Sequence, residues 1–232
     1  MKATPKNDMM GKPAADHLAE AGLAGKPVEA SSHVMTTTVP RANESQGEII
    51  ILTEKLMRLM PKEGATLLLG SLSPVPGDKP VLAVQLARTL ATMTSKAVLL
   101  LDFTSAVSDG AETAGLLDIL RGTTALAQAL HPTETAAVEI LGRGADGNDA
   151  TELLISDSFR GFLEVARAQF PWVLINCHSL LRHDNSTAML LVSRADAVLA
   201  TLKRGQGRGR DVLALSEFCR EMKSDFLGVV LT

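Results

Sequence analysis

From Thr66 onwards, short apolar runs alternate with longer stretches in which apolar residues recur every three or four positions. The short runs predict strands at Thr66–Gly70, Ala97–Leu101, Ala136–Leu141, Trp172–Asn176, Ala197–Leu202 and Leu227–Leu231. The longer stretches predict helices at Lys79–Met93, Thr113–Arg121, Thr124–Leu130, Ala150–Gln169, Asn185–Ser193 and Gly209–Met222. Another helix, Gly47–Met60 with Pro61 closing it, leads into the alternation. The strands are Leu- and Val-rich on both sides of the pleat, so both faces of their sheet need a cover. With amphipathic helices between them, that defines an α/β class, a doubly wound and mainly parallel sheet. Ligands of such sheets sit at the carboxyl ends of the strands, where the strand order reverses. The loops after Gly70, Leu101 and Asn176 are therefore expected in one neighbourhood.

Residues 1–43 break the pattern. They are rich in Ala, Gly, Pro, Ser, Thr and Lys without a sustained period, which predicts a flexible N-terminal arm with a short helix around Ala14–Ala24. Residues 44–232 then form a single domain, long enough to bury a full core. The net charge of −3 asks for neither nucleic acid nor an anionic membrane. The two cysteines, Cys177 and Cys219, suit a reducing compartment better than a disulfide framework. No apolar run approaches the ~18–20 residues that span a bilayer. The opening "MKATPKNDMM" has no apolar core of a signal peptide behind its lysines. A cytoplasmic protein is the expectation.

Chemistry first suggests itself in "LLLGSLSPVPGDKPVLAVQLARTLA", Leu67 to Ala91, which reads as strand, tight loop, helix. A phosphate-cradling loop needs glycines that turn backbone N–H groups inward, a lysine for the β- and γ-phosphates, and a Ser or Thr hydroxyl for Mg²⁺. Gly77 and Lys79 fit that need, but Asp78 precedes the lysine where glycine is wanted and Pro80 follows it where the hydroxyl belongs. Proline is comfortable in the first turn of a helix, so the helix survives the change. On spelling alone, an ordinary strand–turn–helix connection is the simpler reading. "GRGADG" (Gly142–Gly147) has the G-x-G-x-x-G spacing, yet Asn176 stands where a dinucleotide site wants an acid, which favours a plain loop. "KRGQGRGR" (Lys203–Arg210) reads as a solvated loop or as a grip for an anion or a base edge. Cys177 and His178 are neighbours on a strand and point opposite ways. With His183 they lack zinc-like spacing and read as structural.

The order of motifs from about Glu44 onward resembles the cytoplasmic P-loop domain of the bacterial tyrosine kinases of capsule and exopolysaccharide biosynthesis, relatives of the MinD/ParA ATPases. "SLSPVPGDKP" matches the family's S-S-x-P-G-E-G-K-[ST], and "QLARTLA" the helix after it. "LLLDFT" matches L-L-I-D-A-D, the second Walker motif peculiar to the family, and "GLLDILRG" matches G-L-[ST]-D-x-L-x-G. "LGRGADGNDATELLISDSFRGFLEVA" takes the place of the L-P-x-G…N-P-x-E-L-L connection. "FPWVLINCHSL" takes that of the Walker B strand, and "ADAVLATLKRGQGRGRDV" and "FLGVVLT" those of the closing strands.

Carried over position by position, the resemblance implies a vestigial nucleotide site at Gly77, Lys79 and Asp102. Lys79 matches the phosphate-binding lysine and Asp102 the first aspartate of the second Walker motif. Four positions depart from the pattern: Asp78 for a glycine, Pro80 for the metal-binding hydroxyl, Thr104 for the second aspartate, and Asn176 for the Walker B aspartate. Hard-cation sites of this kind depend on oxygen charge. The resemblance therefore implies no catalytic residues, no resident metal and no cofactor, with at most weak ATP binding outside normal Mg²⁺ coordination. The family's C-terminal tyrosine cluster has no counterpart in a chain without tyrosine, so active autokinase chemistry is not expected. The implied role is a non-catalytic partner in exopolysaccharide (capsule or holdfast-type) biosynthesis and export. It would dock on an inner-membrane polysaccharide co-polymerase, or chain-length protein, and associate peripherally with that membrane through it, with neither nucleic acid nor direct membrane insertion. A weak residual ATPase using Lys79 and Asp102 is the alternative, and a MinD/ParA-like positioning ATPase ranks last. The family's ring-forming E-x-x-R-x-x-R helix corresponds to "EIIILTEKLMRL", where Glu48 and Arg58 are present at the wrong spacing. A smaller homo-oligomer and a monomer stay equally open.

Overall fold

The computed structural model describes residues 35–38, 46–60, 65–72, 81–104, 114–133, 137–180, 186–206 and 208–232. The chain divides into two units, Met1–Ser32 and His33–Thr232, and every described residue lies in the second. Its strands are β1 (Met35–Thr38), β2 (Ala65–Ser71), β3 (Val98–Asp102), β4 (His131–Pro132), β5 (Val138–Gly142), β6 (Trp172–Ser179), β7 (Ala197–Leu202) and β8 (Asp225–Leu231). Its helices are α1 (Gln46–Leu59), α2 (Val81–Thr94), α3 (Leu116–Leu120), α4 (Leu126–Ala129), α5 (Ala150–Ile155), α6 (Asp157–Gln169), α7 (Ser186–Val192) and α8 (Gly209–Met222).

The strands form one eight-stranded sheet in the order β1-β8-β7-β2-β6-β3-β5-β4. Every pairing is parallel except that of β4 with β5. The alternating pleat sorts successive residues of each strand between two cores. Leu67, Leu69, Leu100, Leu174 and Leu199 pack with α1 and α2 on one face. Leu68, Leu99, Leu101, Val173, Ile175 and Val198 pack with α5, α6, α7 and α8 on the other. Both faces are thus covered, as the uninterrupted apolar runs require. The chain leaves β2 through α2, builds β3 beyond a gap, and only later fills that gap with β6. The carboxyl ends of β2, β6 and β3 consequently stand side by side, as the strand pattern predicts.

Beyond shifts of a few residues at element ends, such as β6 running on to Ser179, three elements differ from the sequence expectation. Met35–Thr38, read as the end of the flexible arm, is an edge strand paired in parallel with Gly228–Leu231 of β8. Three consecutive threonines favour extended backbone, but a strand this short leaves no period to detect. The arm predicted to residue 43 therefore contains an element of the sheet; residues 1–34 lie outside the described residues. The single helix expected over Ala150–Gln169 is two helices, α5 and α6, because Ser156 between them is extended at φ −63°, ψ 161°. Its hydroxyl donates back to the Leu153 carbonyl at 2.6 Å, a local bond that ends the first helix. The two-residue β4 was not foreseen.

Candidate functional site

Strand register brings the first two candidate residues together. Asp102 closes β3 and pairs directly with Asn176 of β6, and the Phe103 N–H continues the ladder to the Asn176 carbonyl at 2.8 Å. Both side chains are buried, Asp102 at 4% and Asn176 at 8% exposure. Thr104 turns back onto the same carboxylate. Its backbone N–H donates to Asp102 Oδ1 at 2.9 Å, and its hydroxyl donates to that oxygen at 2.7 Å. The third donor is Asn176 Nδ2, 3.1 Å from Asp102 Oδ1 and 3.3 Å from Thr104 Oγ1. A closed triangle of carboxylate, hydroxyl and amide results, in which N–H and O–H dipoles converge on one oxygen of Asp102. Gly77, Asp78, Lys79 and Pro80 lie outside the described residues.

Further along the carboxyl edge lies a knot that sequence reasoning named only as a motif. Arg121, just past α3, grips Asp149 with two parallel bonds, Nε to Oδ2 at 2.9 Å and Nη2 to Oδ1 at 2.7 Å. Its Nη1 donates to Asp118 Oδ1 at 3.2 Å and to the Ala145 carbonyl at 2.9 Å. Asp118 Oδ2 in turn accepts from the Gly115 N–H at 2.9 Å and the Ala145 N–H at 3.3 Å. The Arg121 hydrogen bonds hold the Asp149 carboxyl below the usual carboxylate range, and Asp149 raises the guanidinium above its ordinary value. The glycines of "GRGADG" serve this contact. Gly144 has φ +84°, and a Cβ on Gly115 would lie 2.3 Å from the Gly144 nitrogen. The loop after β5 is therefore a backbone contact for the "GLLDILRG" segment. The signal for it in the sequence was the spacing of acid, arginine and glycine in that motif.

The remaining candidates are structural. Cys177 is buried and His178 exposed, on opposite sides of β6. Burial pushes the Cys177 and Cys219 thiols up to about 12. Arg58 pairs with Glu54 of its own helix. His183 lies outside the described residues. Among the described residues no group of three or more His, Cys, Asp or Glu is placed to hold a metal ion, and no helix is long and apolar enough to cross a membrane.

A mainly parallel sheet with β6 inserted between β2 and β3 and helices on both faces is a doubly wound α/β fold that the kinase domains of bacterial tyrosine kinases share. The comparisons give the same result. In sequence, the chain is 26% identical over 118 residues to the tyrosine-protein kinase CpsD of Streptococcus pneumoniae serotype 4, across 50% of this chain and 51% of that protein. The chain thus matches about half the length of that curated relative. In structure, it is similar to the kinase domain of the Escherichia coli tyrosine kinase ETK, with a TM-score of 0.64 and 19% identity over 78% of this chain and 72% of that one. It is likewise similar to the VpsO kinase domain, with a TM-score of 0.65 and 21% identity over 79% and 92% of the two chains. No family model matches the chain. The tyrosine-kinase-like resemblance and the fold class read from the sequence are both borne out.

Proposed function

We propose that this chain is a catalytically degenerate, tyrosine-kinase-like P-loop domain. In this reading it serves exopolysaccharide assembly and export by docking on an inner-membrane polysaccharide co-polymerase, without transferring phosphoryl groups. The observation that carries the reading is the Asp102–Thr104–Asn176 triangle. Magnesium binds through hard, charged oxygens in octahedral geometry, together with substrate phosphates. Here an amide N–H of Asn176 and the Thr104 hydroxyl proton point at the carboxylate oxygen such an ion would approach. To admit the ion, both donors must turn away from a buried acceptor, and no second carboxylate replaces them within the triangle. The described residues of this site do not fit Mg²⁺. The domain is three-layered, one sheet between two helical layers, with a hydrogen-bonded knot at its carboxyl edge, a frame on which a docking surface can be displayed.

The test has two arms. Calorimetric titration with ATP, in magnesium and again in EDTA, is expected to give the same weak or undetectable binding in both; a magnesium-dependent gain would overturn the degenerate reading. Co-purification from detergent extracts is expected to recover a polysaccharide co-polymerase with the full chain. Its absence, when the co-polymerase is present in the extract, would overturn the docking reading while leaving the first arm standing.

A further inference from the structure

We propose that the loop from β7 into α8 is a contact surface for the anionic phospholipid headgroups of a membrane. Lys203, Arg204, Arg208 and Arg210 fall within eight positions that contain no acidic residue, in a chain whose net charge is −3. All four are exposed. Arg210 meets Asp211 at 3.6 Å, a long and solvated contact, and among the described residues no ion pair holds the other three. Positive charge collected this way, with one solvated acidic partner among the described residues, makes the local potential more positive than the net charge of the whole molecule suggests.

The surface is built onto the sheet. The Arg204 N–H donates to the Thr232 carbonyl at 3.1 Å, the Thr232 N–H donates to the Leu202 carbonyl at 2.9 Å, and the Gln206 N–H closes a turn onto Lys203 at 3.1 Å. Gly205, at φ +78°, makes that turn. The cations are therefore displayed from a tethered loop at the sheet's carboxyl edge. One helical turn after Arg210 stands Leu213, 66% exposed. Residues three apart on a helix are neighbours, so an apolar side chain sits at the rim of the cationic patch. A cation beside a projecting leucine, next to a cationic loop, matches a headgroup layer over hydrocarbon.

A nucleic acid suits the surface less. Residues 203–213 contain no aromatic side chain on which a base could stack. Each cation near an anionic bilayer strengthens binding about fivefold. Four such residues give a reversible contact short of stable anchorage, which takes a second signal.

The experiment is flotation of the full chain with vesicles of phosphatidylcholine alone or mixed with phosphatidylglycerol, at low and at high salt. Binding is expected to the anionic vesicles only and to fade at high salt. Arg204→Gln combined with Arg208→Gln is expected to weaken it about 25-fold, and Leu213→Ser several-fold. Arg160→Gln, an exposed cation of α6 paired with Asp157, is expected to leave it unchanged, with circular dichroism confirming that every variant is folded. Equal binding to neutral vesicles, no binding to anionic ones at low salt, insensitivity to the double substitution, or tighter retention by duplex DNA than by vesicles would each overturn the proposal. The readout involves no nucleotide and no co-polymerase, so its outcome is independent of the function proposed above.

Discussion

Replacing Asn176 with aspartate tests the site most sharply, because it exchanges one donor of the triangle for a second carboxylate at nearly constant shape. The hydrogen bond lost is the 3.1 Å contact to Asp102 Oδ1, and a bond to a charged acceptor contributes about 1.5–3 kcal/mol. Two like charges at that 3.1 Å separation repel by about 5 kcal/mol at an effective dielectric constant of roughly 20. Proton uptake limits the penalty. Keeping one carboxyl neutral at neutral pH, from an ordinary value of about 3.9, costs about 4 kcal/mol, and at pH ~5 only about 1.5 kcal/mol. A carboxyl whose folded-state value is raised contributes stability at low pH and loses it as pH rises through that value. Asn176→Asp is therefore expected to be about 3–4 kcal/mol less stable than the parent at neutral pH, with most of the gap closing towards pH ~5. Urea unfolding, followed by circular dichroism at both pH values, measures the difference. If the variant matches the parent at neutral pH to within about 0.5 kcal/mol and shows no added pH dependence, Asn176 does not bridge the two strands and the reasoning fails. If magnesium restores part of the lost stability in Asn176→Asp but does nothing for the parent, the amide is what stands between this site and a divalent ion.

Other expectations follow from the same geometry. Because the Asp149 carboxyl is held below the usual range by Arg121, its contribution is present above the ordinary carboxylate value of about 3.9 and is lost only as pH falls below it. The Tm of Asp149→Asn is thus expected to trail the parent above pH ~5 and to converge with it in more acidic solution. Gly115→Ala would place a Cβ 2.3 Å from the Gly144 nitrogen, a clash with backbone. It is expected to part the "GLLDILRG" segment from the loop after β5, seen as faster amide exchange at Leu117, whose N–H donates to Arg143 at 2.9 Å. Phe159→Ala empties a site of 0% exposure in the larger core and should lower stability by about 3–5 kcal/mol in denaturant titration. With both thiols buried and raised to about 12, a disulfide-exchange reagent is expected to find neither Cys177 nor Cys219 in the native protein at mildly alkaline pH and both after unfolding.

The sheet arrangement explains why one end of this molecule concentrates its polar chemistry. Filling the gap between β2 and β3 with a strand made much later in the chain places Asn176 in direct register with Asp102. The same edge receives the Arg121–Asp149 knot and the cationic loop after β7.

Sequence alone determined the class of this protein. Uninterrupted Leu and Val runs such as Leu67–Leu69 and Leu99–Leu101 can be satisfied only by a sheet buried on both faces, and the helical periods between them leave a parallel, doubly wound arrangement. Motif spelling also marked Asp102, Thr104 and Asn176 as positions to watch. What the tertiary structure alone decided is that these three meet in one buried triangle, that Arg121 closes on Asp149, that Ser156 divides a helix, and that Met35–Thr38 adds a strand to the sheet's edge. The physical reason is range. Burial and periodicity are written residue by residue, whereas hydrogen bonds across 74 positions, as between Asn176 and Asp102, depend on strand order and register, which exist only once the sheet has closed.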